Sequence, residues 1–424
     1  MDKINIRKII VFFIGIASCL TIYGQLTATG THIKLDKPGG LDYVFIFNAI
    51  DNVTEIKYIG TAPAPFRWNK LANGVQTLSV QGADYISPEN NTGYVLLDAD
   101  GKQIASFWVF DYRLYTPVLK SLRVLDGESP CTDVELKLEA DILPFQYQNL
   151  LGGKLTLPRK FKISYKSLDW KENSWVDKNE EFFLTLPTVS DILAPAPFTD
   201  TSFTLSGDEF ATQLGVPVSP AVSSIYTTKA VKGKITTITS RVRADVLNEN
   251  NRPETATQLI GSAPLDINFF SNPTPAANTY TWRIFKDKSS VPFLIRAVRD
   301  NNYSFTEAGK YLVELTVSNQ YCSHKSTVNV EVSESMLAVP KVFTPNGDGV
   351  QDEFRVAYQS IIEFDAVVFN RWGRKLFSWN DPAKGWDGTV NGRAVPEGPY
   401  YYTITAKGSD DKVYKLKGHI NLLR

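Results

Sequence analysis

The chain has 424 residues, and its 45 basic and 45 acidic side chains give a formal net charge of zero. That balance offers no electrostatic steering, so we expect no nucleic acid and no acidic lipid surface among its partners. The 19 Tyr, 24 Phe and 8 Trp favour pleated sheets over helices. A chain of this length is expected to form about three or four domains.

The N-terminus has the pattern of a secretory signal peptide. Three basic residues precede an apolar stretch at residues 9–16, which is too short to anchor the chain across a bilayer. We therefore predict a signal peptide over residues 1–24, with cleavage after Gly24. A second interpretation stays open, because residues 16–19 fit a lipobox that would attach a lipid to Cys19. Membrane contact is expected only during export or through that lipid.

The other two cysteines, Cys131 and Cys322, are far apart in sequence and fall in different predicted domains. On those grounds we expect no disulfide between them. Free Cys packs as a small apolar side chain, so two buried thiols are predicted. Each domain is then expected to be stabilised by its own apolar core.

Short runs of alternating apolar and polar residues, separated by Gly, Pro, Asn and Asp, predict an all-β fold of tandem immunoglobulin-like β-sandwiches. The first sandwich is predicted over residues 25–112, where a central Trp and a late Gly-Tyr loosely resemble the immunoglobulin plan without its Cys pair. The second is predicted over residues 113–240. Strands in these two segments are predicted at residues 44–47, 66–70, 106–110, 134–138, 161–165 and 182–186.

The third segment, residues 241–335, contains the most regular strand pattern. Strand geometry places alternate side chains on one face, and in its strongest run these are Tyr311, Val313, Leu315 and Val317. The order of its runs resembles that of PKD domains, which are immunoglobulin-like sandwiches common on extracellular proteins. The resemblance implies a spacer or interaction module rather than a catalytic unit.

The last segment, residues 336–424, carries a series of short motifs. They comprise a Gly-rich turn, an Asn-Arg-Trp-Gly turn, a Trp-Asp-Gly block and a basic final strand, with the residues Thr344, Pro345, Asn346, Gly347, Asp348, Gly349, Asn370, Arg371, Trp372, Gly373, Trp386, Asp387, Gly388, Lys415, Lys417 and Arg424. This series resembles the gliding motility-associated C-terminal domain, the type B sorting domain of type IX secretion in the Bacteroidota. The resemblance implies a small β-sandwich, the type IX secretion machinery as a partner, and export through the outer membrane to the cell surface or the medium.

Two parts of this segment can also be interpreted from the residues alone. Asn370 to Gly373 forms a predicted tight turn in which Gly373 supplies a positive φ. The final strand has an apolar face of Tyr414, Leu416, Ile420 and Leu422, and an opposite face of Lys415, Lys417, His419 and Asn421. The basic face is either a surface that a receptor reads or a solvated outer face, and both interpretations stay open.

Asn346, Asp348 and Asp352 place oxygen ligands close together with Gly between them, as a Ca²⁺ loop requires. The full loop pattern fails, because Ala357 stands where a bidentate Glu is needed. Asn-Gly and Asp-Gly are also strong turn formers, so a simple turn is the preferred interpretation. Weakly bound Ca²⁺ is the one cofactor that the sequence leaves open.

The sequence contains few signs of catalytic chemistry. The three His are far apart in sequence, and no Cys or His cluster has the spacing of a metal site. Trp68 and Trp108 are predicted in the core, whereas Trp170 and Trp175 lie among Lys and Glu and are candidates for an exposed sugar platform.

We therefore predict a non-enzymatic surface or extracellular protein, in which tandem sandwiches serve adhesion or assembly with an unknown surface protein or glycan. The alternative is an accessory glycan-binding protein. An enzyme comes third, because a carboxylate pair for glycoside hydrolysis is assembled by the fold and leaves no sequence signature.

Overall fold

The structure, a computed structural model, describes residues 25–125, 127, 129–186, 191–239 and 246–424. Within these ranges the fold is nearly all β, with one α-helix of 6 residues, which confirms the predicted fold class. No helix in the described ranges is long and apolar enough to cross a bilayer. The predicted signal peptide, the lipid-bearing cysteine and the boundary between the second and third segments all lie outside the described residues.

The first segment forms two sheets. Its strands are β1 Gln25–Ala28, β2 His32–Asp36, β3 Tyr43–Phe47, β4 Ile56–Ile59, β5 Arg67–Ala72, β6 Val75–Gln81, β7 Tyr85–Ile86, β8 Thr92–Leu97 and β9 Gln103–Asp111. The larger sheet has the order β2-β3-β9-β8-β5-β6, and the smaller has the order β1-β4-β7. Strands β3 and β9 pair in parallel. A parallel pair cannot be joined by a tight hairpin, and here strands β4 to β8 lie between the two along the chain.

Both faces of the larger sheet are buried along its central strands. Because strand side chains alternate, β9 directs Phe107 and Val109 to one core and Trp108 and Phe110 to the other. The first core lies beneath the smaller sheet and contains Trp68. The predicted burial of Trp68 and Trp108 is thus confirmed.

The second segment supplies the cover for the other face. Its elements are β10 Val118–Leu125, β11 Asp133–Asp141, β12 Phe145–Gln148, β13 Lys154–Leu157, β14 Arg159–Lys171, β15 Ser174–Leu186, β16 Asp191–Pro195, β17 Thr204–Asp208, α1 Glu209–Leu214 and β18 Ala221–Val222. Two sheets, β10-β11-β16 and β15-β14-β17-β18, enclose the core of this segment. The separate hairpin β12–β13 and helix α1 instead pack against the first segment. The first two segments therefore share a core.

A buried ion pair lies at this junction. Arg159 and Asp208 have fully buried side chains, and the Arg159 Nε donates to an Asp208 carboxylate oxygen at 2.6 Å. The hydroxyl of Tyr112, from the first segment, donates to the other Asp208 oxygen at 2.7 Å, and burial raises the pKa of this Tyr. The same oxygen accepts the Ala211 amide and so caps helix α1. One carboxylate thus links the first segment, β14 and α1.

The third segment forms a two-sheet sandwich that also includes residues 236–239, which were predicted to belong to the second segment. Its strands are β19 Thr236–Thr239, β20 Ile260–Gly261, β21 Leu265–Phe270, β22 Thr279–Lys286, β23 Leu294–Arg296, β24 Asn301–Phe305, β25 Gly309–Ser318 and β26 Ser323–Val332. The sheets have the orders β19-β21-β24 and β20-β26-β25-β22-β23, and they enclose one core around Trp282. The predicted inward face of β25 is confirmed, because all four of its apolar side chains are buried.

The expectation of two free, buried thiols is wrong. Cys131 and Cys322 form a disulfide, with their Cα atoms 5.5 Å apart, and Cys131 is exposed. The loop before β11 meets the turn between β25 and β26, so a separation of 191 residues along the chain becomes a contact in space. The same junction holds a hydrogen bond from the Trp175 indole to the Asn272 carbonyl at 3.0 Å. Separation in sequence and placement in different predicted domains were the misleading criteria, because docking of domains brings distant loops together.

The last segment is built around a five-stranded sheet. Its strands are β27 Met336–Ala338, β28 Val342–Phe343, β29 Ala357–Gln359, β30 Ile361–Phe369, β31 Lys375–Trp379, β32 Thr389–Val390, β33 Arg393–Ala394, β34 Gly398–Gly408 and β35 Val413–Leu422. The main sheet has the order β28-β35-β34-β30-β31. The final strand β35 therefore lies inside the sheet, between antiparallel β34 and the short parallel strand β28.

Residues 248–250, which lie upstream in the third segment, also pair with the last segment. Glu249 bridges in parallel to Tyr358 of β29, and the backbones of Asn248 and Asn250 exchange hydrogen bonds with Tyr358 at 3.0 and 2.7 Å. The Asn248 side-chain amide donates to the carbonyls of Val356 and Pro382. A piece of chain between β19 and β20 of the third sandwich thus pairs with the last segment through an isolated bridge.

Candidate functional site

The Gly-rich turn of the last segment is held by its own side chains. The two Asp352 carboxylate oxygens accept the amides of Gly347 and Gly349, each at 2.7 Å. Asn346 accepts the Asp348 amide at 3.0 Å, and Asp348 accepts the Val350 amide at 2.8 Å. These contacts satisfy a backbone that takes positive φ at both Gly residues.

The same contacts bear on the Ca²⁺ hypothesis. The hydrogen bond from the Asn346 side chain, followed by that from the Val350 amide, lowers the pKa of Asp348, so this carboxylate is charged at neutral pH. No group of three or more acidic, His or Cys side chains suited to a metal occurs in the described part of the chain. Each of the three candidate residues already has a partner within the turn. Weak Ca²⁺ binding by Asn346, Asp348 and Asp352 stays a prediction.

The Trp-Asp-Gly block contributes Trp386 to the core of the last segment. The fully buried Trp386 packs against Phe343 and Tyr400, with ring centroids 5.6 and 5.1 Å away. The Asp387 carboxylate accepts the Thr389 amide at 2.9 Å, and Gly388 takes a φ of +74°. A Cβ on Gly388 would lie 2.8 Å from the Leu422 Cδ1 atom, so a larger residue requires Leu422 to shift in addition to a left-handed backbone.

Arg424 is hydrogen-bonded to the backbone beside this block. The Arg424 guanidinium donates to the carbonyl of Val395 at 2.5 Å and to the carbonyl of Gly388 at 3.3 Å. Its charge faces carbonyl oxygens rather than a carboxylate. The Trp-Asp-Gly block and Arg424, separate in sequence, are therefore parts of one arrangement.

The Asn-Arg-Trp-Gly motif forms the tip of the β30–β31 hairpin, as predicted. The Asn370 side-chain oxygen accepts the amides of Trp372 and Arg374, both at 3.0 Å, and Gly373 has a φ of +79°. The Trp372 side chain is 74% exposed, and the Arg371 guanidinium lies 4.1 Å from the centre of its ring.

A cavity of about 390 Å³ opens beside this tip. It lies between residues 370–376 of the hairpin and residues 395–400 of the turn into β34. Trp372, Leu376, Pro396 and Tyr400 are among its apolar walls. We call the hairpin tip and this cavity the tip groove. The sequence predicted the turn at Asn370 but not that it lies beside the turn into β34.

The predicted two-faced pattern of β35 is confirmed by burial. Ile420 and Leu422 are fully buried, whereas Lys415 and Lys417 are exposed. Pairing across the sheet places Thr405 and then Asp365 opposite Lys415. The outer face thus carries both signs of charge, as solvated sheet faces usually do.

The candidate sugar platform has a different geometry. Trp170 and Trp175 face each other across the β14–β15 pair, with ring centroids 5.1 Å apart and planes inclined by 66°. Both are half-buried, and the Trp175 indole bonds to the third segment. An edge-to-face pair at a domain junction presents no flat, continuous ring surface to a sugar.

Two family models match parts of the chain. Residues 337–422 match the CHU_C type IX secretion signal domain, and residues 123–223 match the fibronectin type III domain. The resemblance of the last segment to a sorting domain is thereby confirmed. The second segment, for which the sequence patterns suggested no family, contains a fibronectin type III domain. A type IX secretion signal implies export to the cell surface or the outside.

The solved structures that match the chain share little sequence with it. The tetra-tandem repeat from the extending region of a large adhesion protein is 11% identical, covers 90% of this chain and 98% of its own, and superposes with a TM-score of 0.22. A Ca²⁺-stabilised adhesin of an Antarctic bacterium is 10% identical over 88% of this chain and 93% of its own, with a TM-score of 0.20. At such scores neither likeness supports an argument about function. The comparison with curated proteins gave no match.

Proposed function

We propose that this protein is a non-enzymatic surface or extracellular protein, whose upstream sandwiches serve adhesion or assembly after export by type IX secretion. The observation that carries the proposal is the match of residues 337–422 to a type IX secretion signal domain, joined to upstream sandwiches that include a fibronectin type III domain. Both matched families are signal or scaffold modules, which supports a role in binding rather than catalysis.

The first segment offers a surface that suits assembly. Strand β6 lies at the edge of its sheet with nearly all of its side chains exposed, including Val75 at 61% and Leu78 at 58%. An edge strand leaves backbone donors and acceptors available for pairing with another chain. Apolar side chains on such an edge favour contact with a protein partner.

Localisation and adhesion in a strain with type IX secretion test the proposal together. We expect the full chain at the surface or in the medium, and loss of cell adhesion when its gene is deleted. A variant that lacks residues 336–424 is expected to remain in the periplasm. Surface display of that variant would contradict the role of the last segment in export.

A glycan array with the exported protein separates adhesion to proteins from the glycan-binding alternative. We expect no specific glycan signal from folded protein. Specific binding that is lost in a Trp170→Ala variant would instead favour the accessory glycan-binding function.

A further inference from the structure

We propose that the tip groove is the surface by which the sorting domain docks onto the type IX secretion machinery. The inference rests on the proposed function, because it assigns a place to the partner that a secretion signal requires. The partner surface that fits is a protein patch with carboxylates around one protruding apolar side chain. Four observations carry this assignment.

The exposed indole is not required by the fold. The hairpin turn depends on the Asn370 side chain and on the positive φ of Gly373, and both act through the backbone. The Trp372 side chain contributes none of these bonds, and its indole N–H has no hydrogen-bond partner among the described residues. A large aromatic ring that is 74% exposed is typical of an interface anchor.

The charge around the ring is one-sided. The six residues from Asn370 to Lys375 include Arg371, Arg374 and Lys375 and no acid. None of these three cations forms a salt bridge within the described part of the chain, so their charge is available to a partner. Unpaired cations around an apolar anchor are complementary to a partner with carboxylates at the same positions.

The cavity beside the ring has the size and lining of a binding pocket. Its volume of about 390 Å³ suits a large side chain, and its walls are mainly the apolar groups of Leu376, Pro396 and Tyr400. Glu397 is the one acid among the residues that line it. The pocket is formed by backbone turns that are themselves hydrogen-bonded, so it exists before a partner arrives.

The alternative surface, the outer face of β35, is less suited to recognition. Lys415 is paired across the sheet with Thr405 and then Asp365, so this row carries one charge of each sign. Its exposed aromatic residue, Tyr401, is paired with His419 and is 46% exposed, against 74% for Trp372. The tip groove combines shape, an anchor and one sign of charge.

The test uses the full chain expressed in a strain with type IX secretion. A Trp372→Ser variant and an Arg371→Glu/Arg374→Glu variant keep Asn370 and Gly373 and therefore the turn. For each we expect the exported fraction to fall by at least about tenfold, as for the loss of an interface anchor, with processed protein held in the periplasm. The matched control is Lys415→Ser/Lys417→Ser, which changes the outer face and is expected to leave export unchanged.

Purified variants give the fold control. Their thermal unfolding midpoints should equal that of the parent chain, which separates lost docking from lost folding. Normal export of both tip variants, or loss of export only in the Lys415→Ser/Lys417→Ser variant, would overturn the proposal. Loss of cell adhesion by tip variants that are exported normally would also overturn it, because the groove would then bind a surface ligand instead.

One further variant distinguishes this inference from the proposed function. If the chain without residues 336–424 is retained while both tip variants are exported, the segment is a signal but the tip groove is not its docking surface. If the truncated chain is exported as well, the proposed route of export is itself wrong, and the docking proposal falls with it.

Discussion

At the scale of single residues, the last segment uses Gly where backbone and packing both demand it. Gly388 and Gly392 have the same φ of +74°, yet they differ in surroundings. A Cβ on Gly388 would meet Leu422, whereas a Cβ on Gly392 would meet no heavy atom within 4 Å. Comparing the same substitution at Gly388 and at Gly392 therefore separates the cost of backbone strain from the cost of overpacking.

We predict that Gly388→Ala destabilises the last segment more than Gly392→Ala does. The second change adds only the strain of a left-handed residue, about 1–2 kcal/mol. The first adds overpacking of about 1–3 kcal/mol. Urea unfolding of residues 25–424, followed by Trp fluorescence, measures both. Equal effects would show that Leu422 yields freely to the added methyl group.

The Asp208 carboxylate is the other residue on which much depends. We predict that Asp208→Asn lowers the free energy of unfolding by about 3–5 kcal/mol, because the Arg159 charge stays buried without a counter-charge. Urea unfolding measures the change. The matched control is Asp141→Asn, which breaks the exposed pair with Lys120 and should have little effect. A small effect of Asp208→Asn would mean that water reaches the Arg159 guanidinium.

At the scale of elements, the final strand determines whether the sorting domain closes. Strand β35 lies between β34 and β28, so it provides backbone pairing on both sides as well as Ile420 and Leu422 for the core. The hydrogen bonds from the Arg424 guanidinium to the carbonyls of Val395 and Gly388 then hold the end of β35 beside the Trp-Asp-Gly block. The strand that completes the domain thus lies within the stretch that matches the secretion signal domain.

We predict that Ile420→Ala/Leu422→Ala loosens the last segment and blocks export. Each truncation of a buried aliphatic side chain costs about 2–5 kcal/mol, which is most of the stability of a small domain. Limited proteolysis and cell fractionation are the measurements. The control His419→Ala/Asn421→Ala alters the opposite face of the same strand and should be exported. Equal retention of both variants would show that the strand is read by sequence rather than needed for folding.

At the scale of the whole molecule, the segments are tied together in three different ways. The first and second share a core, the second and third share the Cys131–Cys322 disulfide, and residues 248–250 pair with the last segment. Each tie joins parts that are distant in sequence. The predicted segments are therefore coupled rather than independent.

We predict that residues 25–424 contain no free thiol and that reduction weakens the contact between the second and third segments. In the chain-entropy model a loop of 191 residues gives a stabilisation on the order of 5 kcal/mol, and each sandwich keeps its own core when the bond is broken. Thiol titration of the folded protein and urea unfolding with and without reductant test this. A Cys131→Ser/Cys322→Ser variant should not respond to reductant. Two titratable thiols in the parent chain would refute the pairing.

We also predict that a periplasmic reporter is exported better with residues 246–424 than with residues 336–424. The shorter graft lacks the residues that bridge to β29 and the two hydrogen bonds from the Asn248 amide. Asn248→Ala in the longer graft should reduce export, whereas Asn250→Ala should not, because Asn250 contributes only its backbone. Equal export of both grafts would show that residues 336–424 are sufficient.

The sequence by itself determined what depends on neighbours along the chain. Strand faces such as that of Tyr311 to Val317, the hairpin turn at Asn370 and the burial of Trp68 follow from alternation, turn chemistry and apolarity. The order of the C-terminal motifs was enough to predict the sorting domain that the family comparison confirmed.

Only the tertiary structure decided what depends on docking. Four features of this kind leave no periodic signal in the sequence. They are the pairing of Cys131 with Cys322, the contacts of Asn248 with the last segment, the placement of Trp175 at a junction and the meeting of two turns in the tip groove. The physical reason is that backbone geometry repeats every two residues within a strand, whereas contacts between sandwiches depend on surfaces that form only after each sandwich has folded.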